Sequence, residues 1–251
     1  MICWAQADVY GWLRAAAQGS HAPGGALVRV HVGGVEEWRD LPDWPPPGCS
    51  PTAWHLHAEG RLATTPAPNG SPPNRYRYDP AQPTPSVGGA VENLDGTAGA
   101  KDNRRLEQRA DVLTYNSDVL DADLEMIGPV TAAITLHATL EHVDVFVRLC
   151  DVHANGRSVN LCDGIRRLRP IDSPLDANRT RTVSVDLTGV AHRFRAGHRL
   201  RVQVSSGAHP RFVRNTGTGE PLATATTLRA ADVEIHHVSC IVLPHTMPER
   251  S

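Results

Sequence analysis

The chain has 251 residues, 40% of them hydrophobic and 21% charged, with a formal net charge of -2. One large β domain can reach this length and bury a substantial core. The near-neutral balance argues against a nucleic-acid surface or an anionic-membrane binder. The first residues, "MICWAQADVYGWLRAAAQG", have neither a basic start nor a long apolar run, so no signal peptide is expected. No stretch approaches the roughly 18 apolar residues of a membrane span. The five cysteines include no C-x-x-C and read as buried free thiols of a reducing compartment, so the expected location is cytoplasmic. In chain order, residues 6 to 17 predict a short helix with Val9, Trp12, Leu13 and Ala16 on one side. "GGALVRVHVGG" predicts a strand, "EEWRDLPDWPPPG" an irregular proline-rich stretch, and "AWHLHAEGRL" a short strand pair. Residues 65 to 110 are rich in Pro, Gly, Asn and charge with little periodicity, an unusual length of loop for a compact domain. They are expected to be disordered or to wrap over a partner surface.

From Asp111 the chain reads as strands at short intervals: "DVLTYNS", "EMIGPVTAAITLHA", "VDVFVRLCDV", "SVNLCDG", "TRTVSVDLTGV", "HRLRVQVSSG" and "DVEIHHVSCIVLP". Gly, Pro and Asn turns separate them and no helical periodicity intervenes, which predicts an antiparallel β-sandwich. Asn155-Gly156 lies between two of these runs and predicts a two-residue type I′ hairpin. That turn would set Ala154 against Arg157, Val152 against Val159, Cys150 against Leu161 and Arg148 against Asp163. One face then carries Phe146, Cys150, Val152, Val159 and Leu161. The other carries Val143, Val145, Val147, Leu149 and Cys162, with Asp151 and Asn160 nearer the turn. A strand apolar on both sides is expected to pack on a second sheet and on something else as well.

Several stretches, in order, resemble one family. "EEWRDLPDWPP", "SVGGAV", "DNRRLEQRADVLTYNSDVLDADLEMIGPV", the hairpin "VDVFVRLCDVHANGRSVNLCDGIRRLR" and "FRAGHRLRVQVSSGAHPRFVRNTGTGE" are similar to the C-terminal jelly-roll portion of the CocE/NonD serine hydrolases. That family includes cocaine esterase, α-amino-acid ester hydrolases and X-Pro dipeptidyl-peptidases. The resemblance covers roughly residues 25 to 245. It implies an all-β jelly-roll sandwich with a short N-terminal helix and a long wrapping segment. It further implies that 1-45 is the end of the hydrolase domain and a linker, 46-110 the irregular wrapping segment and 111-251 the sandwich. Family members carry a Ser-His-Asp triad on an α/β-hydrolase domain ahead of the sandwich, with the nucleophile in a G-x-S-x-G elbow. This sequence has no G-x-S-x-G. Ser20, Ser71 and Ser205-Ser206 are the nearest serines, and none follows a buried strand and opens a helix.

No catalytic, cofactor-binding or metal residue is therefore expected in this chain, and no cofactor. His55 and His57 share a strand face, but nothing nearby completes a four-ligand zinc site. His236 and His237 point to opposite faces. Asp144 and Asp163 fall on one side of the hairpin and Asp151 on the other, so an Arg148–Asp163 cross-strand pair is the expected role. Arg199 and Arg201, after Gly197-His198, are candidates to dock a carboxylate. The loop "HPRFVRNTGTGE" offers Arg211, Phe212, Arg214 and Asn215 as candidate interdomain or cleft contacts. The expected partner is an α/β-hydrolase domain, in cis in the family or in trans here, with self-association when it is missing. The expected function is the non-catalytic part of a serine ester or amide hydrolase that shapes the active-site cleft. A stand-alone sugar- or ligand-binding sandwich and a non-functional remnant are the alternatives, because fold alone assigns no function.

Overall fold

The structure, a computed structural model, describes residues 10–11, 13–19, 28–91, 96–170, 176 and 179–246. Among the described residues twelve strands follow one another: β1 (Val28–Val32), β2 (Glu37–Leu41), β3 (Cys49–Leu56), β4 (Leu62–Ala63), β5 (Asn74–Tyr78), β6 (Leu113–Asn116), β7 (Leu124–Ala138), β8 (Val143–Val152), β9 (Ser158–Leu168), β10 (Arg181–Phe194), β11 (Arg199–Ser205) and β12 (Ala231–Thr246). One sheet runs β10-β7-β12-β3-β4, with β5 paired to the first half of β12 where β3 pairs to the second. The other runs β6-β11-β8-β9, and β1 and β2 form a separate two-stranded ribbon. The named strand pairs are all antiparallel.

The two large sheets form the expected β-sandwich. Alternation along each strand sends one set of side chains inward. Val130, Ala132, Ile134 and Leu136 of β7, Val183, Val185 and Leu187 of β10 and Ile241 and Leu243 of β12 meet Val143, Val145, Val147 and Leu149 of β8 and Leu200, Val202 and Val204 of β11 in one cluster. At one edge the sheets come into backbone contact. A Cβ on Gly164 of β9 would lie 2.2 Å from the carbonyl oxygen of Asp186 in β10.

Residues 10, 11 and 13–17 are helical, but Leu13 and Ala16 are exposed and Ala15 is the buried residue, so the predicted apolar face is not the one used. Val9 and Trp12 lie outside the described residues. "EWRDL", expected to be irregular, is strand β2; "NRYRY", expected to be loop, is strand β5, with Tyr76 and Tyr78 buried and Arg75 and Arg77 exposed. Cys49, Cys150, Cys162 and Cys240 are free, and burial raises all four thiols, Cys150 to about 12.

The hairpin differs from prediction next to its turn. His153 N donates to Arg157 O and Gly156 N to His153 O, with φ +81° at Gly156 and no positive φ at Asn155. This is a three-residue loop, a type I turn followed by a left-handed glycine, rather than type I′. The extra loop residue sets Val152 against Ser158 and Asp151 against Val159; a bulge at Leu161 then restores Leu149 against Cys162 and Arg148 against Asp163. Leu161, expected beside Phe146, packs against the core instead, and Asn160 turns to the opposite face to meet Lys101 and Gly99. A Cβ at Gly156 meets nothing within 4 Å, so a side chain there costs backbone strain alone. Gly156→Val should lose about 1–3 kcal/mol in denaturant unfolding, and Gly156→Asn, which tolerates the left-handed region, should retain most of it. Equal losses for the two variants would contradict this turn geometry.

Every residue of β8 is buried, so its second face is covered. The cover belongs to the same chain, not to another body. Arg148 donates to Val87 O and Asn103 Oδ1 as well as to Asp163 Oδ2. Asn103 N donates to Ser158 O, and Glu107 accepts from Ser158, Arg201 and Gln203. Segment 79–112 is thus held by polar contacts to β8, β9 and β11. Ser86 N donates to His209 O and His209 N to Thr84 O, which ties it to the loop after β11.

Candidate functional site

The four predicted contact residues make their bonds inside the chain. Arg211 Nη1 donates to Asp163 Oδ1 at 2.7 Å, and its guanidinium lies over Phe212, whose ring packs on Phe146. Arg214 donates to Pro80 O, and Asn215 Nδ2 to Asp144 Oδ1 at 2.7 Å. The large hydrophobic side chain that the loop exposes is Val213, 59% exposed. Arg201 does dock a carboxylate, that of Glu107, while Arg199 donates to Ser117 O. The Arg148–Asp163 pair is formed and fully buried. His57 is buried with Nε2 against Thr65 O, and His237 Nε2 meets Asn74 Oδ1. Ser71 Oγ bonds to Pro68 O, Ser205 Oγ to Gly207 O and Ser206 Oγ to Tyr76; Ser20 lies outside the described residues. None of these three described hydroxyls is partnered by an imidazole.

The chemistry gathers elsewhere, at one end of the sandwich. Asp151 is the last inward-facing residue of β8 before the turn, and His192 occupies an inward position near the end of β10, so the two sheets bring them together. His192 Nε2 stands 3.0 Å from Asp151 Oδ2, and His198 Nδ1, from the turn before β11, 2.9 Å from Oδ1. A carboxylate only accepts, so the proton sits on Nε2 of His192 and on Nδ1 of His198. His153, two residues past Asp151, stacks on His198 with ring centres 4.5 Å apart and places Nε2 3.9 Å from Asp151 Oδ2. Burial holds the His153 imidazole below the usual histidine range, with Asp151 pulling the other way. One donor atom each from Asp151, His153 and His198 lies within 4.8 Å of the other two. The cluster borders an open cavity of ≈ 590 Å³ whose lining includes Gly33 and Gly34 of the β1–β2 ribbon. The ribbon's close approach to β10 relies on its glycines: a Cβ on Gly34 would lie 2.2 Å from Arg193 O and one on Gly33 2.7 Å from His192 Nδ1.

Reading the sequence missed this cluster. The Asp151-x-His153 spacing carries the period-two signal of one strand face, although β8 ends at Val152 and His153 opens the turn. His192 and His198 join them only through sheet packing and the β8–β11 register, which sets Leu200 against Asp151.

The family model for the X-Pro dipeptidyl-peptidase C-terminal non-catalytic domain matches residues 11–240. The chain belongs to that family. A PepX_C-type domain is therefore the frame for this sandwich, and the CocE/NonD resemblance agrees with its relatives. Cocaine esterase of Rhodococcus sp. (strain MB1 Bresler) is 35% identical over 236 residues, 86% of this chain and 41% of that protein. The structure of an α-amino acid ester hydrolase superposes with a TM-score of 0.79 at 27% identity, covering 90% of this chain and 42% of that one. An aminopeptidase from a marine-sediment Thaumarchaeota archaeon shares the fold, with a TM-score of 0.82 at 22% identity over 95% of this chain and 43% of its own. The PepX_C-type chain thus spans about two fifths of the length of these relatives. Among the described residues no helix is long and apolar enough to cross a membrane.

Proposed function

We propose that this chain is the non-catalytic sandwich of a CocE/NonD-type serine hydrolase, an X-Pro dipeptidyl-peptidase or an ester or amide hydrolase, and that it packs on an α/β-hydrolase domain and shapes the active-site cleft. The observation that carries this reading is the match of residues 11–240 to a domain described as non-catalytic, within relatives more than twice as long. Acyl transfer by a serine hydrolase needs a hydroxyl activated by an adjacent base, and the described candidate serines, Ser71, Ser205 and Ser206, bond to carbonyls or to a tyrosine. The β1–β2 ribbon supplies an apolar contact for the hydrolase domain through Trp38, which is 60% exposed. Large aromatics at interface centres carry much of the binding energy.

The test combines activity and association. The purified chain alone should not hydrolyse p-nitrophenyl esters or X-Pro anilides above the buffer rate, and a fluorophosphonate probe should label no serine. In sedimentation it should self-associate or bind a hydrophobic dye, and form a complex when an α/β-hydrolase domain of this family is supplied in trans. Trp38→Ser should weaken that complex by at least about tenfold, the scale of an interface hot spot. Stoichiometric labelling of a serine, or a dye-silent monomer that ignores the hydrolase domain, would overturn the reading.

A further inference from the structure

We propose that Asp151, His153 and His198 bind one divalent transition-metal ion of the zinc class at the open end of the sandwich, with His192 holding the carboxylate from behind. The first support is the donor set. A carboxylate and two imidazoles, from the end of β8 and from the turn before β11, converge to within 4.8 Å, and the metal would take the place of the proton that His198 Nδ1 shares with Asp151 in the metal-free hydrogen bond. A tetrahedral zinc with N and O ligands at about 2.0–2.2 Å places its donors roughly 3.4 Å apart, so the group must close by about an ångström. His153 and His198 both sit in or beside turns, His153 is a third exposed, and either can swing that far.

The second support is a contrast within the domain. A buried carboxylate is costly unless a cation or several donors face it. Asp163 has Arg148 and Arg211, Asp144 has Arg167 and Asn215, Glu107 has Arg201, and Asp111 has Arg109. Asp151 is as buried as these, and the side chains on it are imidazoles alone. A metal ion supplies the positive charge that arginine supplies at the other four. His192 then plays the part of an outer-shell group, fixing the carboxylate while its own Nδ1 is closed off by the ribbon at Gly33.

The third support is access. Three protein donors leave a coordination position for water or a ligand, and it opens to the ≈ 590 Å³ cavity. Imidazole with carboxylate selects zinc, cobalt, nickel or copper over magnesium and calcium, which prefer all-oxygen sites. The proposal departs from the sequence expectation of no metal residue.

The test uses the full chain without a polyhistidine tag, stripped with EDTA. Titration with Co²⁺ should give visible d–d absorption that saturates at one equivalent and is displaced by Zn²⁺, and calorimetry with Zn²⁺ should return the same stoichiometry. Mg²⁺ should produce neither signal. His153→Ala and His198→Ala should each weaken Zn²⁺ binding by more than about tenfold, since loss of an outer-shell partner alone typically costs 10–100-fold. His142→Ala, away from the cluster, should leave it unchanged. His153 lies in a turn, so its variant is expected to fold, and thermal melting of the metal-free protein checks this. Two results would overturn the proposal: no saturable Co²⁺ spectrum in the parent, or equal affinity in the parent and both cluster variants.

Discussion

Gly164→Ala is expected to destabilise the sandwich by about 3 kcal/mol, the upper part of the range for forcing extra volume into a packed interior. The added methyl would sit 2.2 Å from Asp186 O, 2.9 Å from Asp186 C and 3.2 Å from Leu187 Cα, all of them backbone atoms. No rotamer change can clear them, so β9 and β10 must separate where the two sheets meet. For a domain of this size the melting temperature should fall by roughly 6–12 °C. Gly207→Ala is the matched control, because a methyl there finds its nearest neighbour, Tyr78 Oη, at 4.0 Å. Equal melting shifts for the two variants would show that the β9–β10 approach has room to relax.

Arg148→Met is expected to cost about 3–5 kcal/mol, as when one member of a buried ion pair is removed. Arg148 is fully buried, and its guanidinium serves three acceptors at once: Asp163 Oδ2, Asn103 Oδ1 at 2.6 Å and Val87 O at 2.8 Å. Methionine fills much of the volume but leaves those oxygens without a donor. Arg211 still reaches Asp163 Oδ1, so the carboxylate keeps one partner and the loss falls on the covering segment. Amide exchange should therefore accelerate first between residues 87 and 103, at denaturant concentrations where β8 and β11 remain protected. Arg148→Lys should recover only part of the stability, since a single ammonium cannot reproduce the planar fork. Unchanged exchange in that segment would mean that Arg148 does not hold it.

The strands after Asp111 were legible because their inward and outward positions alternate and Gly, Pro and Asn mark the breaks. β5 carried the same signal in Arg75-Tyr76-Arg77-Tyr78 but was hidden among prolines and glycines. β2 had little to read: "EWRDL" has only Trp38 and Leu41 as apolar residues, and it pairs in a ribbon outside the main sheets. Asn155-Gly156 correctly marked a turn, but loop length depends on whether Asn155 takes a positive φ, and in this hairpin it does not. That one residue moved Asn160 from the core side to the covered side. The second face of β8 was read correctly as covered, and the source of the cover was not legible. Asp102, Asn103 and Glu107 look like solvated polar loop residues until their counterparts, Ser158, Arg148 and Arg201, are placed by the fold. The Asp151 cluster stayed hidden for the same reason: two of its histidines enter through long-range packing.

The placement of β12 between β7 on one side and β5 and β3 on the other also dictates an order of assembly. β5 pairs with β12 alone, and β3 joins the large sheet only through β12, at Cys49↔Thr246 and the pairs before it. A nascent chain emerging from the ribosome can pair β8 with β9 and β7 with β10 early, but β5 and the short β3–β4 pair must wait without their β12 neighbour until almost the whole domain has been made. Contacts of such sequence separation are slow to form and leave strand edges open meanwhile. Expression at lower temperature, or with a holdase chaperone that shields residues 49–78 during synthesis, should therefore raise the yield of folded protein.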